Sequence, residues 1–309
     1  MKNIQKINDS IESIIKNLYE FKKLLIESNS GDEVAPDKIG QIVQQELEDF
    51  DSLRKALESE KWPEAVNVNL ICDPTNEQDK LERGRGVIDL MIEFDIKDKK
   101  LLDFGCGEGH LPFVAASDYE STMAVGYDCL KNDKWSNFQK ENLMYSDDWN
   151  DVLKNGPYDV IVIFDVIDHA KNENAVSILN KAREALKYDG RIYMRCHPYI
   201  SRHGTHLYHH LNKSYAHLVF TKEELTKIVP DQRFVEDNIN VIFPLITYKE
   251  FITKSNLEVE SMREIRSNVD SFFKIPKIAE RIIKNNSLTS FPEFQMGIDF
   301  VDYVLKMSN

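Results

Sequence analysis

Two stretches of this chain hold residues whose types and spacing could do chemistry. The first is Leu101-Leu102-Asp103-Phe104-Gly105-Cys106-Gly107-Glu108-Gly109-His110. Glycines there permit positive φ and let the main chain approach a ligand closely. A nicotinamide-cofactor turn would read G-x-G-x-x-G. Here the spacing is G-x-G-x-G, with Asp103 two residues before the first glycine and histidine at 110. The second stretch, 197–217, holds six of the eight histidines: His197, His203, His206, His209, His210 and His217. Arg195, Arg202, Tyr199, Tyr208 and Tyr215 lie at or within its borders. Three readings of the histidines stand open. One of His197, His203 and His206 could be a general base that takes a proton from an oxygen or nitrogen nucleophile, since histidine titrates near neutral pH. His203, His206 and His210 could instead share a face and bind a divalent metal that orients vicinal oxygens. Several could simply be hydrogen-bonded within a packed insertion. No metal is assigned on these grounds. Cys106 and Cys196 are expected to pack, because neither has the Cys-His arrangement of a thiolate nucleophile.

The elements that must position these residues follow from periodicity. A helix expected over Glu77–Phe94 precedes a buried strand, Lys100–Phe104, which ends at the glycine turn. Further strands are expected at Met123–Tyr127, Asn142–Tyr145, Val160–Phe164 and Arg191–Arg195, separated by helical segments such as Ala175–Leu186. Short apolar strands alternating with helices give a parallel α/β sheet covered on both faces. Ligands bind such sheets outside the carboxyl ends of the strands, where the glycine turn falls. Towards the C-terminus, a helix over Tyr248–Ser255 and strands over Leu257–Arg263 and Met296–Lys306 read as a closing antiparallel hairpin. Thr221-Lys222-Glu223-Glu224 reads as a capping box opening one more helix.

Five motifs in order, over roughly residues 85–195, resemble those of class I S-adenosylmethionine-dependent methyltransferases. Asp103-x-Gly105-x-Gly107-x-Gly109 is similar to the first. Val125-Gly126-Tyr127-Asp128 ends a strand with an acid 19 residues after Gly109, a spacing at which a carboxylate can hold ribose hydroxyls. Tyr145-Ser146-Asp147-Asp148-Trp149 resembles the third-strand segment, where Asp147, or alternatively Asp148, would accept from the adenine amino group. The run from Tyr158 to His169 resembles Y-D-x-x-x-x-x-D-V-L-E-H, with Asp159 and Asp165 at its two aspartates. Asp168 and His169 could touch the cofactor's methionine part or the acceptor, or only form a turn. Leu186-Lys187-Tyr188-Asp189-Gly190-Arg191-Ile192-Tyr193 resembles L-K-P-G-G-x-L-x, with Tyr-Asp in place of Pro-Gly.

The resemblance implies a doubly wound, mostly parallel seven-stranded sheet and a cofactor, S-adenosylmethionine, held by Asp103, Gly105, Cys106, Gly107, Gly109, Asp128, Asp147, Asp148 and Asp165. It implies methyl transfer, with residues 197–247 as the acceptor-binding insertion. Arg195, Arg202, His210 and Tyr199 are then expected to contact an acceptor bearing an anionic group. The fourth motif lacks the D-P-P-Y or N-P-P-Y run with which nucleic-acid amino-methyltransferases hold a flipped base. A small-molecule or glycan-like acceptor is therefore expected. The rivals are a nucleic-acid or protein methyltransferase and a non-catalytic, cofactor-binding assembly component.

Composition narrows the field further. The formal charge of −13 in 309 residues weighs against nucleic-acid partners, which require basic surface. No apolar run is long enough to cross a bilayer, no secretory signal is expected because charges interrupt every apolar stretch from Lys2 to Lys23, and four cysteines without C-x-x-C pairing suit a reducing cytoplasm. Residues 1–75 read as a helical appendage. Ile4, Ile7, Ile11, Ile14, Leu18, Phe21 and Leu25 form a heptad seam, expected either to join subunits or dock a partner, or to pack on its own domain. A second helix is expected over Asp37–Glu60, then an extended linker over 61–75, with the catalytic domain beginning at residue 76.

Overall fold

The computed structural model describes residues 36–59, 62–67, 73, 75–91, 94–170, 172–231, 235, 243–268, 277–288 and 292–308. The heptad seam lies outside them. Their contacts divide the chain into two compact units, one ending at Leu53 and the other running from Arg54 to Asn309. Helix α1 (Pro36–Leu57) takes the place of the expected Asp37–Glu60 helix.

In the larger unit, helix α2 (Glu77–Leu90) is capped by Asn76, whose side chain accepts from the Gln78 and Asp79 N–H groups. Strand β1 (Lys100–Phe104) is buried along nearly its whole length. Helix α3 (His110–Ser117) and strand β2 (Met123–Tyr127) follow. Strand β3 (Leu143–Ser146) leads to helix α4 (Trp149–Asn155), and strand β4 (Tyr158–Phe164) to helix α5 (Asn172–Ala185). Strand β5 (Leu186–Cys196) begins directly after α5, where a turn was expected. Gly190 permits this. A Cβ there would sit 2.9 Å from the Tyr158 carbonyl oxygen and 3.0 Å from that of Asp159, so only glycine lets β5 run this close to β4.

Helices α6 (Ala216–Val219) and α7 (Lys222–Ile228) lie in the insertion, the second opened by the expected Thr221/Glu224 capping box. Helix α8 (Leu245–Lys254), strand β6 (Leu257–Arg266), helices α9 (Ile278–Asn285) and α10 (Glu293–Met296) and strand β7 (Ile298–Met307) complete the order.

The seven strands run β3-β2-β1-β4-β5-β7-β6. β1 to β5 pair in parallel, and β7 is antiparallel to both β5 and β6. Strand alternation sorts the core onto two faces. Leu102, Ile161 and Ile163 pack with Ala175 and Leu179 of α5, while Leu101, Val160 and Val162 pack with Val87 of α2 and Val114 of α3. This is the doubly wound sheet with its antiparallel closing pair. Strand order reverses between β1 and β4, and the crevice at that reversal is where such sheets receive ligands.

The contacts of residues 62–66, expected as part of a linker, run to the insertion. Trp62 is 1% exposed, stacks on Phe220, and donates its indole N–H to the Ser214 carbonyl at 2.9 Å. Ser214 Oγ in turn donates to the Glu64 carbonyl, and Asn212 bonds the Val66 main chain in both directions. The segment expected to be a linker is fastened to the insertion.

Candidate functional site

Gly105, Gly107 and Gly109 all have positive φ, at 84°, 51° and 92°. The turn folds back onto β2: the Gly105 and Cys106 N–H groups donate to the Tyr127 carbonyl, and the Gly107 N–H donates to Asp128 Oδ2 at 3.0 Å. Asp128 Oδ1 also accepts from Leu130 N–H. The loop is anchored from outside by a 3-10 turn, Asp133–Asn137, whose Trp135 donates its indole N–H to the Gly107 carbonyl at 2.8 Å. Trp135 stacks on Tyr145, and the Tyr145 hydroxyl donates to the Gly109 carbonyl at 2.7 Å. Lys80 and Lys134 both bind Glu108 at 2.6 Å. A Cβ built on Gly107 would meet nothing within 4 Å. The turn is thus held rigidly beneath open space, the cradle that a close-fitting nucleoside ligand requires.

Asp103, beneath this turn, is buried. Loss of hydration, and secondarily the Asp128 charge, push its carboxyl up to about 7 against the pull of Arg83. Cys106 is half-buried and Cys196 buried; burial raises both thiols, so neither is poised as a nucleophile. Of the two acids after β3, Asp148 caps α4 by accepting from Asn150 N–H, while Asp147 is exposed beside it. The cap engages Asp148 Oδ1 with the backbone.

At the carboxyl end of β4, Asp165 adopts φ 54°, a left-handed conformation that costs a non-glycine residue energy and is commonly retained at sites of function. Its Oδ2 accepts from Arg83 at 3.1 Å, and burial, then the neighbouring Asp168 charge, raise its carboxyl above the ordinary range. A 3-10 turn, Ile167–His169, presents Asp168, fully buried, towards His197, the first residue after β5. His197 Nδ1 lies 2.8 Å from Asp168 Oδ2. Burial works against charge on both, but their mutual attraction wins, holding His197 above its usual pKa and Asp168 below.

Two more histidines join them. His206, also left-handed at φ 54°, makes an edge contact with His197 at 4.5 Å between ring centroids and stacks on His169 at 4.7 Å. His203 lies 5.6 Å from His197 and packs on Phe300. Burial, reinforced by the His197 charge, drives His206 down to about 3 and holds His203 well below its usual range, so both are neutral imidazoles. His210 is exposed, and the ligand-type group that the described residues bring within reach of one ion is Asp168, His197 and His206. His217 donates from Nε2 to the Tyr199 carbonyl at 2.7 Å, and its ring meets the Tyr199 ring edge-on.

The arginines are also placed differently. Arg195 is buried, and its Nε and Nη2 grip Asp302 across the β5–β7 pair at 2.5 and 2.7 Å, with Arg263 on the same carboxylate. Expected to hold an acceptor, Arg195 is instead a strut of the sheet, because a buried guanidinium takes the nearest carboxylate. Arg202 pairs with Asp299 at 3.0 Å. The signal for both partners was present in the sequence: Asp299 and Asp302 interrupt an otherwise apolar strand, and acids facing a core need cations. Asp168 as the partner of His197 was equally readable, since both follow the ends of neighbouring strands.

Among solved structures, the chain is similar to 1,6-didemethyltoxoflavin-N1-methyltransferase of Burkholderia thailandensis, with bound 1,6-didemethyltoxoflavin and S-adenosylhomocysteine (8% identity, 91% of this chain and 94% of that one, TM-score 0.42). It is also similar to protein PH0226 of Pyrococcus horikoshii OT3 (16% identity, 76% and 94% covered, TM-score 0.46). A third is a SAM-dependent methyltransferase from Archaeoglobus fulgidus (20% identity, 73% and 94% covered, TM-score 0.40). No curated protein sequence matches the chain. The family described as "Methyltransferase domain" matches residues 77–234, just over half of the chain and the whole run of motifs around the glycine turn and β4. The chain belongs to that methyltransferase family and takes S-adenosylmethionine as its methyl donor.

Proposed function

We propose that this methyltransferase acts on an oxygen or nitrogen of a small-molecule or glycan-like acceptor, with the cofactor over the glycine turn and the acceptor beside the Asp168/His197/His203/His206 cluster. The observation that carries the reading is the meeting of Gly107 N–H and the Asp128 carboxylate at 3.0 Å, under open space at the carboxyl ends of β1 and β2. Each Asp128 oxygen accepts one main-chain N–H and keeps a lone pair for a ribose hydroxyl. Asp147 would accept from the adenine amino group, and Asp103 and Asp165 would face the cationic methionine end.

Bound S-adenosylmethionine supplies an already activated methyl, so the chain's own contribution is alignment and exclusion of water. The insertion suits that task. It brings His203 and His206 over the ends of β4 and β5, and Tyr208 beside His206, with the hydroxyl 3.4 Å from Nδ1. Polar side chains surrounded by Phe300 and the sheet give a nucleophile partners without bulk water. The net charge of −13 supports a small acceptor over a polyanion. Free thiols at Cys106, Cys129 and Cys196 suit a reducing cytoplasm. Among the described residues no helix is long and apolar enough to cross a membrane.

Calorimetry with S-adenosylmethionine and S-adenosylhomocysteine tests the cofactor half. Asp128→Ala should weaken both ligands at least about tenfold, since hydrogen bonds to a charged group contribute roughly 1.5–3 kcal/mol each. Unchanged affinity in a folded variant would overturn the ribose assignment.

A further inference from the structure

The cluster behind the acceptor region contains more than an ion pair. One ligand atom from each of Asp168, His197 and His206 lies within 4.8 Å of the other two. Asp168 and His197 are buried outright, at 0% and 1% exposure, and His206 is half-buried. Several of their polar atoms have neither solvent nor a hydrogen-bond partner: Asp168 Oδ1, His197 Nε2 and His206 Nε2. Buried polar atoms are nearly always satisfied, and orphaned atoms on the same three residues whose ligand atoms draw this close call for an occupant. The fold also strains to build this point, since His206 takes a left-handed conformation whose side chain is held against His169 and His197.

We propose that Asp168, His197 and His206 form a mononuclear site for a divalent first-row transition cation. The donor set argues for that class. Two imidazoles and one carboxylate suit zinc, iron, manganese, cobalt or nickel, whereas magnesium and calcium prefer all-oxygen shells. A zinc-type ion binds its ligands at about 2.0–2.2 Å, so donor atoms around one ion lie up to roughly 4 Å apart, close to the spacing here. Three protein ligands leave at least one coordination position open, the mark of a site that also binds a reactant. His169, stacked on His206, and Asp165, beside Asp168, stand around the donor set. The open position would take an acceptor oxygen, giving the protein a hold on the nucleophile that Arg195 and Arg202, both engaged by aspartates, do not offer. The metal site stands on its own geometry; only the statement that an acceptor oxygen fills it rests on the methyl-transfer reading.

The full chain, stripped with chelator and dialysed, is titrated with Zn(II) and Co(II) in the absence of any cofactor or acceptor, by calorimetry and by the visible bands of bound Co(II). One equivalent should bind, unaffected by excess Mg(II). His206→Ala and Asp168→Asn should each weaken Co(II) binding at least about tenfold, in line with the loss of a ligand. The exposed neighbour variant His209→Ala should bind as the parent does. X-ray absorption on the Co(II) form should show two imidazole ligands, a readout that needs no variant to fold. A wild-type chain that binds neither ion, or a His197→Ala/His206→Ala protein that binds as well as wild type, would overturn the site. Because the readout is cation binding alone, that failure would leave cofactor binding and the Asp128 result untouched, and the reverse also holds.

Discussion

At the scale of residues, Asp103 carries the clearest physical consequence. Desolvation first, then repulsion from Asp128, lift its carboxyl from 3.8 to about 7. A folded state that keeps this proton binds more protons than the unfolded chain between those values, so stability must fall as pH rises from about 4 to about 7 and level off above. At roughly 1.4 kcal/mol per pH unit the effect amounts to a few kcal/mol. Asp103→Asn should flatten that slope, read from urea midpoints at a series of pH values; an unchanged slope would assign it to other groups. A ligand effect follows on the proposed placement. S-adenosylmethionine carries a positive sulfonium and its demethylated product does not, so ionised Asp103 should favour the donor. Donor affinity should increase more than product affinity as pH passes upward through 7. Gly107 makes a separate prediction. Alanine there meets no atom but must hold φ 51°, at a cost of about 1 kcal/mol in stability. Its methyl would project into the cradle, so Gly107→Ala should lose far more in cofactor affinity than in thermal midpoint.

At the scale of elements, the glycine turn, the parallel strands and the capping box were legible because each is written in local spacing. β1 and β2 fall where periodicity put them, and β4 begins only two residues earlier, at Tyr158. What escaped was the pairing of distant charges. Arg195 and Asp302 are 107 residues apart, and only the β5–β7 register, Arg195 opposite Asp302, brings them together. The same is true of Trp62 and Ser214, 152 residues apart, where Pro63 and Pro74 gave the segment the composition of a linker. A strut and an acceptor contact differ experimentally. Asp302→Ala strands a buried guanidinium, which should cost about 3–5 kcal/mol of folding stability. In the native state below its melting temperature, its affinity for S-adenosylhomocysteine should match wild type. A variant of undiminished stability that instead lost acceptor affinity would return Arg195 to the substrate.

At the scale of the whole molecule, charge bears on the proposed class of acceptor. A chain with 52 acidic and 39 basic side chains repels polyanions over most of its surface. Several of its cations near the cofactor turn are already engaged: Lys80 and Lys134 hold Glu108, and Arg85 holds Asp118. Binding RNA or DNA would require releasing phosphate counterions with free cations, and affinity would then fall steeply with salt. The buried Asp168 and histidine group is the place the proposed function gives to one small polar acceptor. Labelled methyl transferred from the cofactor in a cell extract should therefore appear in the low-molecular-weight fraction, at a rate changing less than about twofold between 50 and 200 mM salt, against the losses of 1,000-fold or more expected of a binder with 6–10 phosphate contacts. Label recovered chiefly in nucleic acid, with turnover collapsing over that interval, would move the acceptor out of the enclosed site. The surface cations would then have to be the recognition element and the histidine cluster a purely catalytic one.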